Sequence, residues 1–128
     1  MKQISKRKNR IQKVDTLNSN ITQNTGITEG NVVITKEEIL KTLAKDKAEL
    51  QKRFKVSKIA LFGSYARGDQ QAGSDVDILV EVDPSIGLDF VTLAERIEKL
   101  LGVSVDLVSS RAVNSRAMKY IEPELVYV

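Results

Sequence analysis

Two aspartates separated by a single residue, Asp75 and Asp77, are the side chains in this sequence best suited to chemistry. They open an apolar run at residues 78–80, which has the composition of a short buried strand. Because side chains alternate along a strand, both carboxylates would point the same way, about 6.5–7 Å apart. Two carboxylates on one face repel each other unless a cation lies between them. Their oxygens suit Mg²⁺, which commonly pairs one or two carboxylates with substrate phosphates.

A Gly-Ser pair, Gly63 and Ser64, precedes the first aspartate by ten intervening residues. The apolar run before it, at residues 59–62, predicts a second short strand. A turn at this pair would offer backbone N–H groups and a hydroxyl to phosphate, and its glycine would let the backbone approach a bound group closely. A phosphate-binding turn beside metal-binding carboxylates predicts nucleotide chemistry. Without the Gly-Ser pair, a polar strand edge would be the better interpretation of the aspartates.

The composition narrows the chemistry further, because the 128 residues contain neither cysteine nor histidine. Disulfides, thiol catalysis, histidine general bases and zinc sites of the usual kind are therefore excluded. Acid–base catalysis and metal binding must therefore use carboxylates, hydroxyls, lysine or arginine. No apolar run approaches the roughly 18–20 residues of a membrane span, and no signal-peptide core follows the basic start. We therefore expect a cytoplasmic protein that does not associate with membranes.

The net charge of +3 is concentrated in the N-terminal part of the chain. Residues 1–35 carry six basic and two acidic side chains, whereas the remainder carries 14 basic and 15 acidic ones. Residues 1–34 are also polar and lack periodic apolar positions, so we predict a basic, disordered extension followed by one domain at 35–128. The extension could contact nucleic acid or could be a solvated tail, and the near-neutral body argues against a nucleic-acid-binding face.

Helical and strand patterns alternate around the two motifs. Thr35 and Glu38 fit a capping box, which predicts a helix running to about Phe54. A second amphipathic helix is predicted at 90–101, with Asp89 as its N-cap. The shorter elements predicted after it are a strand at 103–108, a helix from 111 to about 121 and an edge strand at 126–128. These elements predict an α/β (α+β) fold with a short mixed sheet and helices packed mainly on one face.

The spacing of Gly-Ser, ten residues and Asp-x-Asp resembles the DNA polymerase β-like nucleotidyltransferase superfamily. Within it, the chain looks most like the minimal nucleotidyltransferases, over roughly residues 35–128. The segments GSYARGD (63–69) and SDVDILV (74–80) carry most of the specificity. The resemblance implies a minimal nucleotidyltransferase fold with a third carboxylate on the strand after the second helix. Asp106 matches that position, although a lone aspartate near a strand end is usually a surface or turn residue.

The resemblance also implies a role for each residue of the motifs. The carboxylates implied as catalytic groups and as ligands of two Mg²⁺ ions are Asp75, Asp77 and Asp106. The groups implied to bind the nucleotide are Gly63, Ser64, Arg67 and Ser74. A hydroxyl of the acceptor would attack the α-phosphorus of ATP, and pyrophosphate would leave. For Arg67, a solvent-facing position in the loop remains the alternative to neutralising the triphosphate.

The acceptor has to be inferred from what surrounds the motifs. Only 22 residues follow Asp106, so we expect no further domain that would grip the acceptor. Minimal nucleotidyltransferases of this size resemble antitoxins paired with HEPN ribonuclease toxins, which transfer AMP from ATP onto a tyrosine hydroxyl of the toxin. The resemblance therefore implies a protein adenylyltransferase in a hetero-oligomer with its toxin. The alternative is a binding module that neutralises a partner by steric contact through the apolar residues 120–128, and transfer to RNA or a small molecule is less favoured.

Overall fold

A computed structural model describes residues 34–128 of the protein. The predicted disordered extension therefore lies outside the described residues, except for its last residue. That residue, Ile34, packs against the hydrophobic core. None of the described helices is both long enough and apolar enough to cross a membrane.

Helix α1 (Lys36–Phe54) begins at the predicted capping box. The hydroxyl of Thr35 accepts a hydrogen bond from the backbone N–H of Glu38 at 3.1 Å, and the Glu38 carboxylate accepts one from the Thr35 N–H at 2.9 Å. This reciprocal pair satisfies N–H groups that a helix start otherwise leaves without partners. The buried positions of the helix recur at helical spacing and are Ile39, Leu43, Leu50 and Phe54.

The remaining elements alternate between strand and helix, as the sequence predicts. In chain order they are β1 (Val56–Phe62), α2 (Ser64–Arg67), β2 (Val76–Val82), α3 (Asp89–Leu101), β3 (Val105–Ser109), α4 (Ser115–Ile121) and β4 (Val126–Tyr127). Short 3₁₀ turns lie at Pro84–Ile86, Ser110–Ala112 and Glu122–Glu124.

The four strands form one mixed sheet in the order β3-β2-β1-β4. Strand β1 is antiparallel to both β2 and β4, whereas β2 and β3 are parallel. Parallel neighbours need a crossover connection, and α3 supplies it. The predicted short mixed sheet is therefore confirmed.

The two faces of the sheet have different surroundings. On the first face, the paired residues Leu61 and Ile78 join a core cluster that includes Leu43 of α1 and Ile97 of α3. The two long helices therefore pack on one face, as predicted. The second face carries the alternate residues of β2, namely Asp77, Leu79 and Glu81. Met118 of α4 and Leu125 line a cavity with Leu79, so the C-terminal segment borders this second face.

The predicted N-cap of α3 is wrong. Leu88 is the N-cap, it already has helical dihedral angles (φ −66°, ψ −16°), and Asp89 is the first helical residue. Gly87 has a positive φ and makes the turn into the helix, so the helical dihedral angles begin at Leu88, one residue before Asp89. Asp89 still places its negative charge in the first turn, where the helix dipole favours it.

Candidate functional site

The parallel pairing of β2 and β3 brings two of the predicted carboxylates together. Asp77 is registered directly beside Asp106, and registered side chains on neighbouring parallel strands share a face. Asp77 is half-buried and Asp106 is exposed. Asp75 lies just before β2, on the other side of buried Val76, and is exposed. Asp75 and Asp106 both lie close enough to Asp77 for their charges to act on it, so the three aspartates lie near one end of the sheet.

Gly63 lies against the same carboxylate cluster. It follows the end of β1, where Phe62 is paired with Asp77 across the antiparallel strands. Its backbone has φ 77° and ψ −154°, a region that is essentially restricted to glycine. A Cβ built on Gly63 would lie 2.9 Å from the carboxylate carbon of Asp77 and would overlap its Oδ2. Glycine is therefore required here both by the dihedral angles and by the close approach of the Asp77 side chain.

A short helix, α2, connects Gly63 to the following loop and was not predicted. The carbonyl of Gly63 accepts hydrogen bonds from the N–H groups of Ala66 and Arg67, both at 3.0 Å. The carbonyl of Ser64 accepts hydrogen bonds from Gly68 at 2.8 Å and Asp69 at 3.0 Å. These bonds hold half-buried Ser64 at the turn that leaves β1, next to Gly63, which lies against the Asp77 side chain.

Arg67 connects this turn to two other parts of the chain. Its Nε donates a hydrogen bond to Asp69 at 3.0 Å, and its Nη1 donates one to Glu124 at 2.9 Å. These two bonds raise the pKa of the guanidinium. Its positive charge also lies close enough to Asp77 to act against the rise that burial causes in the pKa of that carboxyl. Arg67 is thus held near the carboxylate cluster, although about half of its side chain is exposed.

Glu124 is a member of the site that the sequence did not predict. One carboxylate oxygen accepts a hydrogen bond from the Gly63 N–H at 3.2 Å, and the other accepts the bond from Arg67. Glu124 lies in the 3₁₀ turn before β4, 61 residues after Gly63. The sequence around Glu124 is that of an ordinary surface glutamate, so this contact can be recognised only in the folded structure.

Ser74 has a local role in the structure. Its hydroxyl accepts a hydrogen bond from the Gln71 N–H at 2.9 Å, and its own N–H donates to the Gln71 carbonyl at 2.9 Å. The two bonds close the turn immediately before Asp75. Ser74 therefore fixes the start of the Asp-x-Asp segment, and its predicted role in nucleotide binding stays a prediction.

Burial and crowding of negative charge raise the pKa of Asp77 to about 7. Partial burial is the largest cause, followed by the charges of Asp106 and Asp75. Glu124 adds to the rise, whereas Arg67 opposes it. Because the ionised form of Asp77 is unfavourable in these surroundings, a nearby cation would stabilise it strongly.

The donors at this end of the sheet fit Mg²⁺ in their chemistry. Carboxylate oxygens are its usual protein ligands, and it takes few of them because it keeps water or substrate oxygens in its coordination shell. Within residues 34–128, however, no group of three or more acidic side chains is already assembled closely enough to hold a metal ion. The predicted pair of ions bound by Asp75, Asp77 and Asp106 therefore stays a prediction.

The raised pKa of Asp77 predicts a specific pH dependence for the metal-free protein. Its folded pKa of about 7 exceeds the ordinary 3.8, so the folded state binds more protons than the unfolded state between these values. The free energy of unfolding should therefore fall by on the order of 1 kcal/mol, after solvent screening, as pH rises from about 4 to 7. Above about pH 7 it should level off. Urea unfolding with EDTA at pH 5 and pH 8 measures this fall.

The matched variant for this measurement is Asp77→Asn, which removes the titrating group. We expect its stability to change less than that of the wild type between the two pH values. Equal changes in both proteins would contradict the assignment to Asp77.

Comparisons with known proteins agree with this arrangement. A family model described as "Nucleotidyltransferase domain" matches residues 40–127. The protein adenylyltransferase MntA of Thermococcus cleftensis is 46% identical over 98 residues, which cover 75% of this chain and 98% of the relative. A solved structure provisionally described as a minimal nucleotidyltransferase matches with a TM-score of 0.64 at 29% identity, over 73% of this chain and 95% of that one. A toxin–antitoxin crystal structure with AMP-PNP matches with a TM-score of 0.54 at 27% identity, over 73% and 72%.

Proposed function

Because the chain belongs to the nucleotidyltransferase domain family and is a nucleotidyltransferase, we propose that it transfers AMP from ATP to a partner protein and thereby acts as an antitoxin. The observation that carries the proposal is the meeting of Gly63, Asp77 and Asp106 at one end of the sheet. The Gly-Ser turn therefore lies beside several carboxylates, which supports phosphate binding at this turn. The name of the Thermococcus relative, a protein adenylyltransferase, supports AMP as the transferred group.

The proposed reaction divides the work between the turn and the carboxylates. The backbone at Gly63 and the hydroxyl of Ser64 would bind phosphate oxygens of ATP, and Arg67 would balance part of their charge. Asp75, Asp77 and Asp106 would hold two Mg²⁺ ions, whose chemistry when bound is to stabilise the attacking and leaving oxygens. A bond would form between the acceptor oxygen and the α-phosphorus while the bond to pyrophosphate breaks. Because the chain has no histidine, the proton of the acceptor would pass to Asp106 or to water.

For the acceptor, we propose a tyrosine hydroxyl of a HEPN-type toxin in the cytoplasm. The structural match to a toxin–antitoxin complex with AMP-PNP supports a toxin as partner and ATP as substrate. Modification of the toxin would then silence it.

The direct test is the intact mass of the partner toxin after incubation with this protein, ATP and Mg²⁺. We expect the toxin to gain the mass of one or more AMP groups, and fragmentation should place them on tyrosine. An unmodified toxin would contradict the proposal.

The double variant Asp75→Ala, Asp77→Ala separates catalysis from steric neutralisation. Under the proposal this variant leaves the toxin unmodified and active. A toxin that is silenced equally well by the double variant would instead favour the non-catalytic binding module. Such a module would use the apolar residues 120–128, of which Tyr120 and Tyr127 have exposed side chains.

A further inference from the structure

Glu124 holds two groups that the proposed function assigns to the triphosphate. Its carboxylate accepts hydrogen bonds from the backbone N–H of Gly63 and from the guanidinium of Arg67. Only 28% of the Glu124 side chain is exposed, so the carboxylate is directed into the site and away from bulk solvent. An anion that belongs to the chain itself therefore lies where an anionic ligand is expected.

The two hydrogen bonds limit what the same groups can offer to a ligand. A backbone N–H carries a single hydrogen, so the Gly63 N–H cannot donate fully to Glu124 and to a phosphate oxygen at once. Arg67 has further N–H donors, but its positive charge is already balanced by Glu124 and by Asp69. Both effects make phosphate binding less favourable while Glu124 stays in place.

The wider charge balance acts in the same direction. The carboxylates around the turn are Asp69, Asp75, Asp77, Asp106 and Glu124. Within residues 34–128, the cations at the turn are Arg67 and Lys36, whose Nζ donates a hydrogen bond to the Ala66 carbonyl at 3.2 Å. In this described part of the chain, carboxylates thus outnumber cations at a site that the proposed function requires to accept a polyanion. Removal of one negative charge should therefore favour nucleotide binding.

We propose that Glu124 is an internal competitor of the nucleotide, which occupies the Gly63 N–H and Arg67 in the free protein and must leave them when the triphosphate binds. The residue thereby sets the affinity for ATP through the C-terminal segment of the chain. This inference rests on the proposed function only to the extent that a nucleotide binds at this turn.

A purely positioning role for Glu124 would have the opposite consequence. If its bridge mainly held Arg67 and Gly63 in the geometry that phosphate needs, its loss would weaken nucleotide binding and lower kcat. The sign of the change in affinity therefore distinguishes a competitor from a positioning residue.

The test is the dissociation constant of AMP-PNP with Mg²⁺, measured by calorimetry without any acceptor protein. Glu124→Gln keeps the size of the side chain and removes its charge, so we expect AMP-PNP to bind about fivefold more tightly, in line with a partly exposed ion pair. Glu124→Ala removes the acceptor altogether and should bind at least as tightly. Glu122→Gln is the matched control, since it alters an exposed glutamate of the same 3₁₀ turn, and it should leave the dissociation constant unchanged.

Each outcome decides the inference separately from the proposed function. Unchanged or weaker binding in both Glu124 variants would overturn it, as would the absence of AMP-PNP binding to the wild type and both variants. Tighter binding without modification of a toxin would support the competitor role and remove only the proposed acceptor. In an active enzyme, Glu124→Gln should lower KM for ATP about fivefold with little change in kcat.

Discussion

The variant Asp77→Asn should lose AMP transfer almost completely, with kcat/KM reduced by about 10³-fold or more. Asp77 lies both against Gly63 and beside Asp106, so we expect neither Asp75 nor Asp106 to replace it. Asparagine keeps the shape of the side chain but loses the negative charge that a divalent cation requires. Initial rates of AMP incorporation into the partner protein, over a range of ATP concentrations, measure the loss.

The same variant should fold at least as well as the wild type. Because the pKa of Asp77 is raised to about 7, its ionised form is unfavourable in the metal-free fold, and the neutral amide avoids that cost at pH 8. Urea unfolding with EDTA at pH 8 should therefore show equal or greater stability. Loss of activity with retained stability would assign the defect to chemistry and not to misfolding.

Glu81→Gln provides the control for Asp77→Asn. Glu81 lies on the same strand and the same face, but it is exposed and its carboxylate accepts a hydrogen bond from the Ser57 hydroxyl at 2.8 Å. Removal of its charge should change kcat/KM by less than about twofold, because screened surface charges act weakly over this distance. If both variants lost activity equally, or if Asp77→Asn remained active, Asp77 would not be the central carboxylate of the reaction.

Gly63→Ala is the second change for which we expect a large effect. The new methyl group would overlap the Asp77 carboxylate, and the dihedral angles of Gly63 disfavour any L side chain. We expect a loss of about 2–5 kcal/mol in the free energy of unfolding, from backbone strain together with overpacking. We also expect activity to fall by about 10²-fold or more in the molecules that fold, because Asp77 has to move. Chemical denaturation and rate measurements on the same preparation give both quantities.

Gly87→Ala separates the two causes. Gly87 has similar dihedral angles (φ 55°, ψ −135°). Among residues 34–128, however, and apart from its two chain neighbours, a Cβ there would approach nothing nearer than the Ser85 carbonyl oxygen at 3.8 Å. This variant should carry the backbone cost of about 1–3 kcal/mol and retain normal activity. An equal loss of stability at both glycines, with activity preserved at Gly63, would mean that the contact with Asp77 is unimportant.

The sequence predicted the parts of the fold that depend on local patterns. The capping box at Thr35 and the apolar run at residues 78–80 each involve residues close in the chain, and the structure has both the helix start and the buried strand. The Gly-Ser and Asp-x-Asp spacing, with its family resemblance, was enough to predict nucleotidyl transfer. These features could be predicted because their physical causes lie within a few residues of one another.

Other features depend on contacts that no local pattern encodes. The hydrogen bonds of Glu124 join residues 57 and 61 positions apart, so they exist only after the C-terminal segment has reached β1. The prediction of Asp89 as the N-cap of α3 was wrong because, after the turn at Gly87, Leu88 already has helical dihedral angles. The close approach of Gly63 to Asp77 likewise depends on strand register, which the spacing of the motif alone does not fix.

The crossover that makes β2 and β3 parallel also determines when the site can exist during folding. Asp77 and Asp106 become neighbours only after α3 has folded back and β3 has joined the sheet edge, a non-local step that must overcome loop-closure entropy. The two like charges oppose this pairing. Cations and nucleotide would therefore act on the completed sheet, slowing its opening more than they speed its formation. If β3 detached from the sheet, the chain would keep both motifs but would lose the site, because Asp106 would no longer lie beside Asp77.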